Sequence, residues 1–147
     1  MSIKKYEETL PVEELVEKAM KAMERSYSPY SGFKVGACLL TSDREYYTGC
    51  NIENAAYTPT NCAERTAFFK AVSEGEKEFC RIAIVGVNEN GNGEHDFCAP
   101  CGVCRQVMME FCDPEFFTVV LAKSSNEYRC YLLKELLPLG FGPDNLK

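Results

Sequence analysis

This sequence predicts an α/β domain with helices layered on a mixed sheet, and three observations carry the prediction. A helix signal is followed by two strand signals close enough together to form a hairpin. Helix and strand signals then alternate, as they do when connections cross over a sheet. One run, Ile82-Ala83-Ile84-Val85-Gly86-Val87, is apolar throughout, the pattern of a strand buried on both faces. The 147 residues and 46% apolar content suit one domain, residues 1–147, with a real core.

The first helix is expected over residues 11–25. Pro11 fits its first turn, Glu13 and Glu14 sit near the positive end of its dipole, and Leu15, Val16, Ala19, Met20 and Met23 recur at helical spacing. The two methionines are read as core rather than as a soft-metal site. Ser28-Pro29-Tyr30-Ser31-Gly32 is a turn cluster that stops the helix. Strands follow over Phe33–Leu40 and Tyr46–Cys50, joined by Thr41-Ser42-Asp43-Arg44. The loop Asn51-Ile52-Glu53-Asn54 lies where the sheet ends; it reads equally as a ligand-contacting edge or as a solvated loop.

Asn61 is expected to cap a helix over Cys62–Glu74 that ends at Gly75. The apolar strand spans Phe79 to Val87, and a Gly/Asn-rich loop, residues 88–96, carries the only histidine, His95, read as a surface residue. A third helix over Gly102–Phe111, strands at Phe117–Ala122 and Tyr128–Leu132, a brief helix at Leu133–Leu137 and an irregular tail complete the chain.

Composition narrows the function. No stretch approaches the roughly 20 apolar residues of a membrane span, and Met1–Glu8 lacks the apolar core of a signal peptide, so a cytoplasmic location is expected. A formal charge of −6 argues against a nucleic-acid partner held by phosphate contacts but permits a neutral small molecule. Nine cysteines in a reducing compartment point to metal binding and buried thiols rather than disulfides.

Two stretches carry the chemistry, Asn61-Cys62-Ala63-Glu64-Arg65 and Pro100-Cys101-Gly102-Val103-Cys104-Arg105. Each opens a helix, and Cys101 and Cys104, three apart, share a helix face. Helix N-termini favour the thiolates that zinc needs. Three protein ligands are one short of a closed tetrahedral zinc site and leave a position for water. Glu64 is positioned to move that water's protons, but residues two apart on a helix meet only if the site lies end-on to it. Three thiolates give a divalent metal a net charge of −1, which opposes acidification of water. A hydrogen bond from Arg65, on the face of Cys62, would withdraw charge; Arg105 offers a weaker version of the same role. The competing reading is a closed site in which Cys98 is a fourth ligand. Cys62-Ala63-Glu64 favours the open one, because a structural zinc needs no carboxylate at its edge.

At these residues the chain resembles the cytidine deaminase family, in particular its small homotetrameric type. The zinc deaminases, with a three-cysteine variant and a glutamate that is not a ligand, are a known pattern. The likeness extends over Tyr27–Ala37, Gly49–Tyr57, Cys62–Ala67, Pro100–Gln106 and Leu136-Leu137-Pro138 with Phe141-Gly142-Pro143. It implies a three-layer α/β/α fold with a mixed five-stranded sheet and one zinc per chain on Cys62, Cys101 and Cys104. Glu64 would be the proton shuttle, Asn51 and Glu53 the pair holding the ribose hydroxyls, and Phe33 a packing surface for the nucleoside. The Ala63 N–H would meet the base carbonyl. Tyr57 and Phe141 would reach a neighbouring subunit's site, implying a homotetramer with shared pockets. The implied reaction is hydrolytic deamination of cytidine and deoxycytidine in pyrimidine salvage. One departure is Ala99, where the family usually has Ser or Thr; it is harmless if only the backbone carbonyl receives the leaving amine. Three alternatives stand beside this reading: a polynucleotide deaminase, a deaminase of another cytosine-bearing nucleoside, and a non-enzymatic zinc module.

Overall fold

The computed structural model describes residues 10–91, 93 and 95–147. The expectation placed on Met1–Glu8 therefore lies outside the described residues. Helix α1 (Glu13–Met23) is followed by the hairpin β1 (Phe33–Thr41) and β2 (Tyr46–Cys50). Helix α2 (Ala63–Ser73), β3 (Phe79–Asn88), β4 (His95–Asp96), α3 (Gly102–Phe111), β5 (Thr118–Ser124), β6 (Glu127–Leu132) and α4 (Leu133–Leu136) follow. A 3₁₀ turn, Pro143–Leu146, lies in the tail.

The sheet runs β2-β1-β3-β5-β6, the expected five strands, with β3 and β5 parallel and the other pairs along this path antiparallel. Alternation along the central strands divides the core. Ala37, Leu39, Ile82, Ile84, Val119 and Leu121 pack with α2 and α3 on one face. Cys38, Leu40, Ala83, Val85, Val120 and Ala122 pack with Leu15, Val16, Ala19 and Met23 of α1 on the other. Met23 thus belongs to the core, as read. Both helix layers approach the sheet at glycines: a Cβ on Gly36 would sit 2.0 Å from Ala19 O, and one on Gly49 would sit 2.4 Å from Ala63 O.

The expectation for His95 is corrected. It is half-buried and, with Asp96, forms the two-residue β4, which pairs with Val87 and Gly86 of β3. The parallel pairing with β5 covers only Arg81–Ile84, so the end of β3 has a free edge that this segment fills. Such a short pairing depends on a tertiary neighbour rather than on a strand pattern of its own.

Arg81, inside the apolar β3 run, is buried. Its Nε donates to Thr118 Oγ1 (2.6 Å) and its Nη1 to Leu10 O (3.3 Å), which ties the chain ahead of α1 to the sheet. Replacing it strands buried acceptors. Arg81→Leu is expected to destabilise the fold by about 2–3 kcal/mol, read as a lower denaturant midpoint at unchanged slope.

Strand directions decide where function can sit. Strand β2 runs antiparallel to β1, and β1 antiparallel to β3, so β2 and β3 end at the same edge of the sheet. The connections leading to α2 and α3 leave from that edge, and Phe33, paired with Asn88, begins β1 there. The carboxyl ends of strands in open α/β sheets are the usual place for a ligand.

Candidate active site

Each helix start supplies a thiol. Cys62 and Cys101 are the N-cap residues of α2 and α3, both with extended backbone, so Cys62 precedes the first turn rather than opening it as expected. Asn61 does not cap α2. Its backbone exchanges hydrogen bonds with Ile52 (2.9 Å each way), and its side-chain Nδ2 donates to Thr66 Oγ1 (3.1 Å). That ladder holds Asn61 extended and postpones the helix by one residue. At Cys101 the thiol itself serves as the cap, accepting from Cys104 N (3.4 Å).

The sulfurs of Cys62, Cys101 and Cys104 lie within 4.8 Å of one another, the one such metal-capable group among the described residues. Cys62 and Cys101 are 3.8 Å apart, and Cys101 and Cys104 3.4 Å. Tetrahedral zinc with Zn–S bonds of about 2.3 Å places its sulfurs about 3.8 Å apart, so the donor set fits the ion in type and in spacing. Cys98 is not in this group. It packs against Gly86, where an added Cβ would come within 3.2 Å of its sulfur, and burial pushes its thiol up to about 12. The closed four-cysteine arrangement is therefore not the one the chain adopts.

The Cys62 thiol is brought down to about 5, first by its hydrogen bond with Cys104 and then, against burial, by Arg65. Cys104 is shifted upward, through that same hydrogen bond and burial. Without metal the pair thus shares one proton, which an incoming cation would displace. Arg65 Nη2 lies 3.3 Å from Cys62 Sγ, on the face that the three-residue spacing predicted. Burial works against its charge, but the hydrogen bonds it donates to Cys62 and Cys104 outweigh burial and raise its pKa. Arg105 takes no part: its guanidinium donates to the carbonyls of Pro100 (2.7 Å) and Leu136 (2.5 Å), bracing the start of α3 against the end of α4.

Glu64 is buried at 4% exposure. Burial is the main cause that lifts its carboxyl to about 7; the charge on Cys62 adds to the rise, and a bond from its own backbone N–H opposes it. A carboxylate bent onto its own N–H faces the N-terminal end of the helix. This is the end-on arrangement required for Glu64 to share a site with Cys62. Ala63, the first residue of α2, is buried, and its N–H has no acceptor within the helix.

The loop after β2 is stitched in place. Tyr27 N donates to Asn51 O (3.0 Å) and Glu53 N to Tyr27 O (2.8 Å). The Asn51 side chain accepts from Val35 N (2.9 Å) and from Ser26 Oγ, and donates to Phe33 O (2.7 Å), which leaves one amide N–H free to donate. Glu53 accepts from Tyr30 N (2.9 Å), Ser31 N (3.1 Å) and Ser31 Oγ. The bond from the Ser31 hydroxyl is the largest cause holding Glu53 below the usual carboxylate range. Ser26 and Ser31 position these two side chains, a role the sequence did not suggest: Ser31 stood only as a member of the turn cluster, and Ser26 lies just ahead of it. Glu53 and Ser31 line a hollow of about 420 Å³ with Tyr30, Tyr57 and Thr60. Phe33 lies over Gly86, its Cε1 within 3.0 Å of where a Cβ would be. Tyr57 and Phe141 are 72% and 57% exposed, Tyr57 edge-on to Tyr30 at 6.2 Å. Within this chain neither is packed into the core.

A mixed sheet with two helix starts presenting a three-cysteine set beside a buried glutamate defines a class, that of the zinc-dependent hydrolytic deaminases. Comparison with known families agrees: residues 11–120 match the cytidine and deoxycytidylate deaminase zinc-binding region. The chain belongs to that family. It is 45% identical to a cytidine deaminase of Sporosarcina psychrophila over 137 residues, which span 93% of this chain and 96% of that one. The crystal structure of a cytidine deaminase from Burkholderia pseudomallei superposes with a TM-score of 0.80 at 44% identity, over 90% of this chain and all of that one. The Mycobacterium tuberculosis cytidine deaminase gives 0.73 at 36% identity, over 88% of this chain and 95% of that one.

Proposed function

We propose that this chain, as a single catalytic domain over residues 1–147, deaminates cytidine and deoxycytidine, with water as co-substrate and uridine or deoxyuridine and ammonia as products. The observation that carries the reading is the gathering of three sulfurs within 4.8 Å of one another at the start of the helix that also buries Glu64. One zinc per chain is held by Cys62, Cys101 and Cys104. When bound, zinc supplies Lewis acidity that brings a water's pKa down toward about 7.

The chain's residues do the rest. Glu64, whose carboxyl lies at about 7 without metal, suits a group that must both accept and return protons near neutrality. It takes a proton from the attacking water and gives it to the ring nitrogen beside the amine-bearing carbon, then takes the second proton from the hydroxyl so formed and delivers it to the departing amine. The Ala63 N–H receives the base carbonyl, and the Ala99 carbonyl, with no hydroxyl needed, receives the leaving amine. The remaining Asn51 N–H and the ionised Glu53 carboxylate hold the ribose hydroxyls, with Phe33 packing on the nucleoside. Tyr57 and Phe141 complete a neighbouring subunit's pocket in a homotetramer; both stand exposed and outside this chain's own core, where a neighbour can be reached. A cytoplasmic role in pyrimidine salvage follows from that substrate.

Arg65 restores acidity to an otherwise anionic thiolate site by drawing charge from Cys62. Arg65→Gln is expected to keep the metal and lower kcat by about tenfold or more, with KM changed less. Equal kcat in the variant would remove the arginine from the account.

A substrate comparison tests the reading. Turnover should be high on cytidine and deoxycytidine and negligible on a cytosine-containing single-stranded oligonucleotide. Faster turnover of the oligonucleotide would favour a polynucleotide deaminase.

A further inference from the structure

The chain carries a net charge of −6, yet one hollow is walled by four cations. It lies between α1, β2 and the start of α2, has a volume of about 410 Å³, and is lined by Lys18, Lys21, Arg25 and Lys70, with Tyr46 and Thr66 among its other walls. Lys18 and Lys21, three apart, share a face of α1, and Arg25 follows in the turn just past the end of that helix. Lys70 reaches in from α2 and donates to Thr48 O.

Among the described residues none of these four cations is in an ion pair, and the side chains of Lys21 and Arg25 make no hydrogen bond. Lys18 is poised over the Tyr46 ring at 4.9 Å, and Glu14, one helical turn before it, accepts a bond from Tyr46 Oη (2.8 Å). Like charges so gathered repel one another, and a bound anion relieves that cost. A single carboxylate would balance one of the four. A ligand with several phosphate groups would balance them together, and the mixture of one guanidinium and three ammonium groups suits phosphate oxygens.

We propose that this basin is a binding site for a small polyphosphate-bearing anion, separate from the metal site. The site needs no contribution from deaminase chemistry, so it stands or falls independently of the reaction.

Tripolyphosphate is the probe, titrated calorimetrically into the full-length, metal-loaded protein at low and at moderate salt. Binding that weakens with salt in the wild type, and is lost by about tenfold or more in the Lys21→Ala/Arg25→Ala double variant, is the expected result. Both positions are exposed, so thermal unfolding and cytidine turnover should match the wild type. Lys18→Gln provides a second variant, expected to weaken binding less than the double change. Absence of binding by the wild type at low salt, or equal binding by the double variant, would overturn the proposal. So would a change of oligomeric mass in the double variant with no tripolyphosphate affinity in the wild type, which would make the basin a subunit contact.

Discussion

Glu64→Gln is expected to leave a folded, zinc-loaded protein whose turnover of cytidine falls by about 10³-fold or more, at the upper part of the range for general acid–base catalysis. The size of the loss follows from the double duty assigned to the carboxylate. An amide of the same shape can still fill the buried position at the head of α2, so packing against the sheet should change little. It can neither accept the water's proton nor return protons to the base and the amine. Zinc content measured on the same preparation separates this outcome from simple loss of the metal. Full activity in the variant would sink the assignment of Glu64.

The second large effect concerns the ligand set. Cys62→Ala should abolish stoichiometric zinc and activity together, whereas Cys98→Ala should retain both. The distinction rests on placement: Cys62 closes the group of three sulfurs at the helix ends, while Cys98 packs over Gly86 outside it. Zinc also contributes to folding wherever its site does not exist in the unfolded chain. Cys62→Ala is therefore expected to lower thermal stability, and chelator treatment of the wild type should do the same. Retention of zinc by Cys62→Ala together with its loss from Cys98→Ala would restore the closed four-cysteine reading.

Much of the fold was legible because apolar periodicity and burial agree. Leu15, Val16 and Ala19 marked the inward face of α1, and the unbroken Ile82–Val85 run marked the strand that both layers cover. The metal group was legible because two helix starts, each with a cysteine, are easily recognised. What escaped the sequence depends on partners distant in the chain. Strand β4 exists because β3 has an edge that β5 does not cover. Asn61 lost its capping role to a backbone ladder with Ile52, and Arg105, at a helical spacing that would have permitted a role at the metal, turned to the Pro100 and Leu136 carbonyls. Arg81 sits in a run that reads as apolar, and only the nearby Thr118 and Leu10 explain it. Lys18, Lys21 and Arg25 are close together in the sequence, but Lys70 joins them, and the concavity arises, only when α2 packs against β2 at Gly49.

The most direct test is an ultraviolet assay on cytidine, with zinc counted per chain in the same sample. One zinc per chain and rapid, zinc-dependent loss of the cytidine absorbance with release of ammonia are expected. One zinc per chain with no turnover of cytidine or deoxycytidine would contradict the deaminase reading and make the three-thiolate centre a structural one.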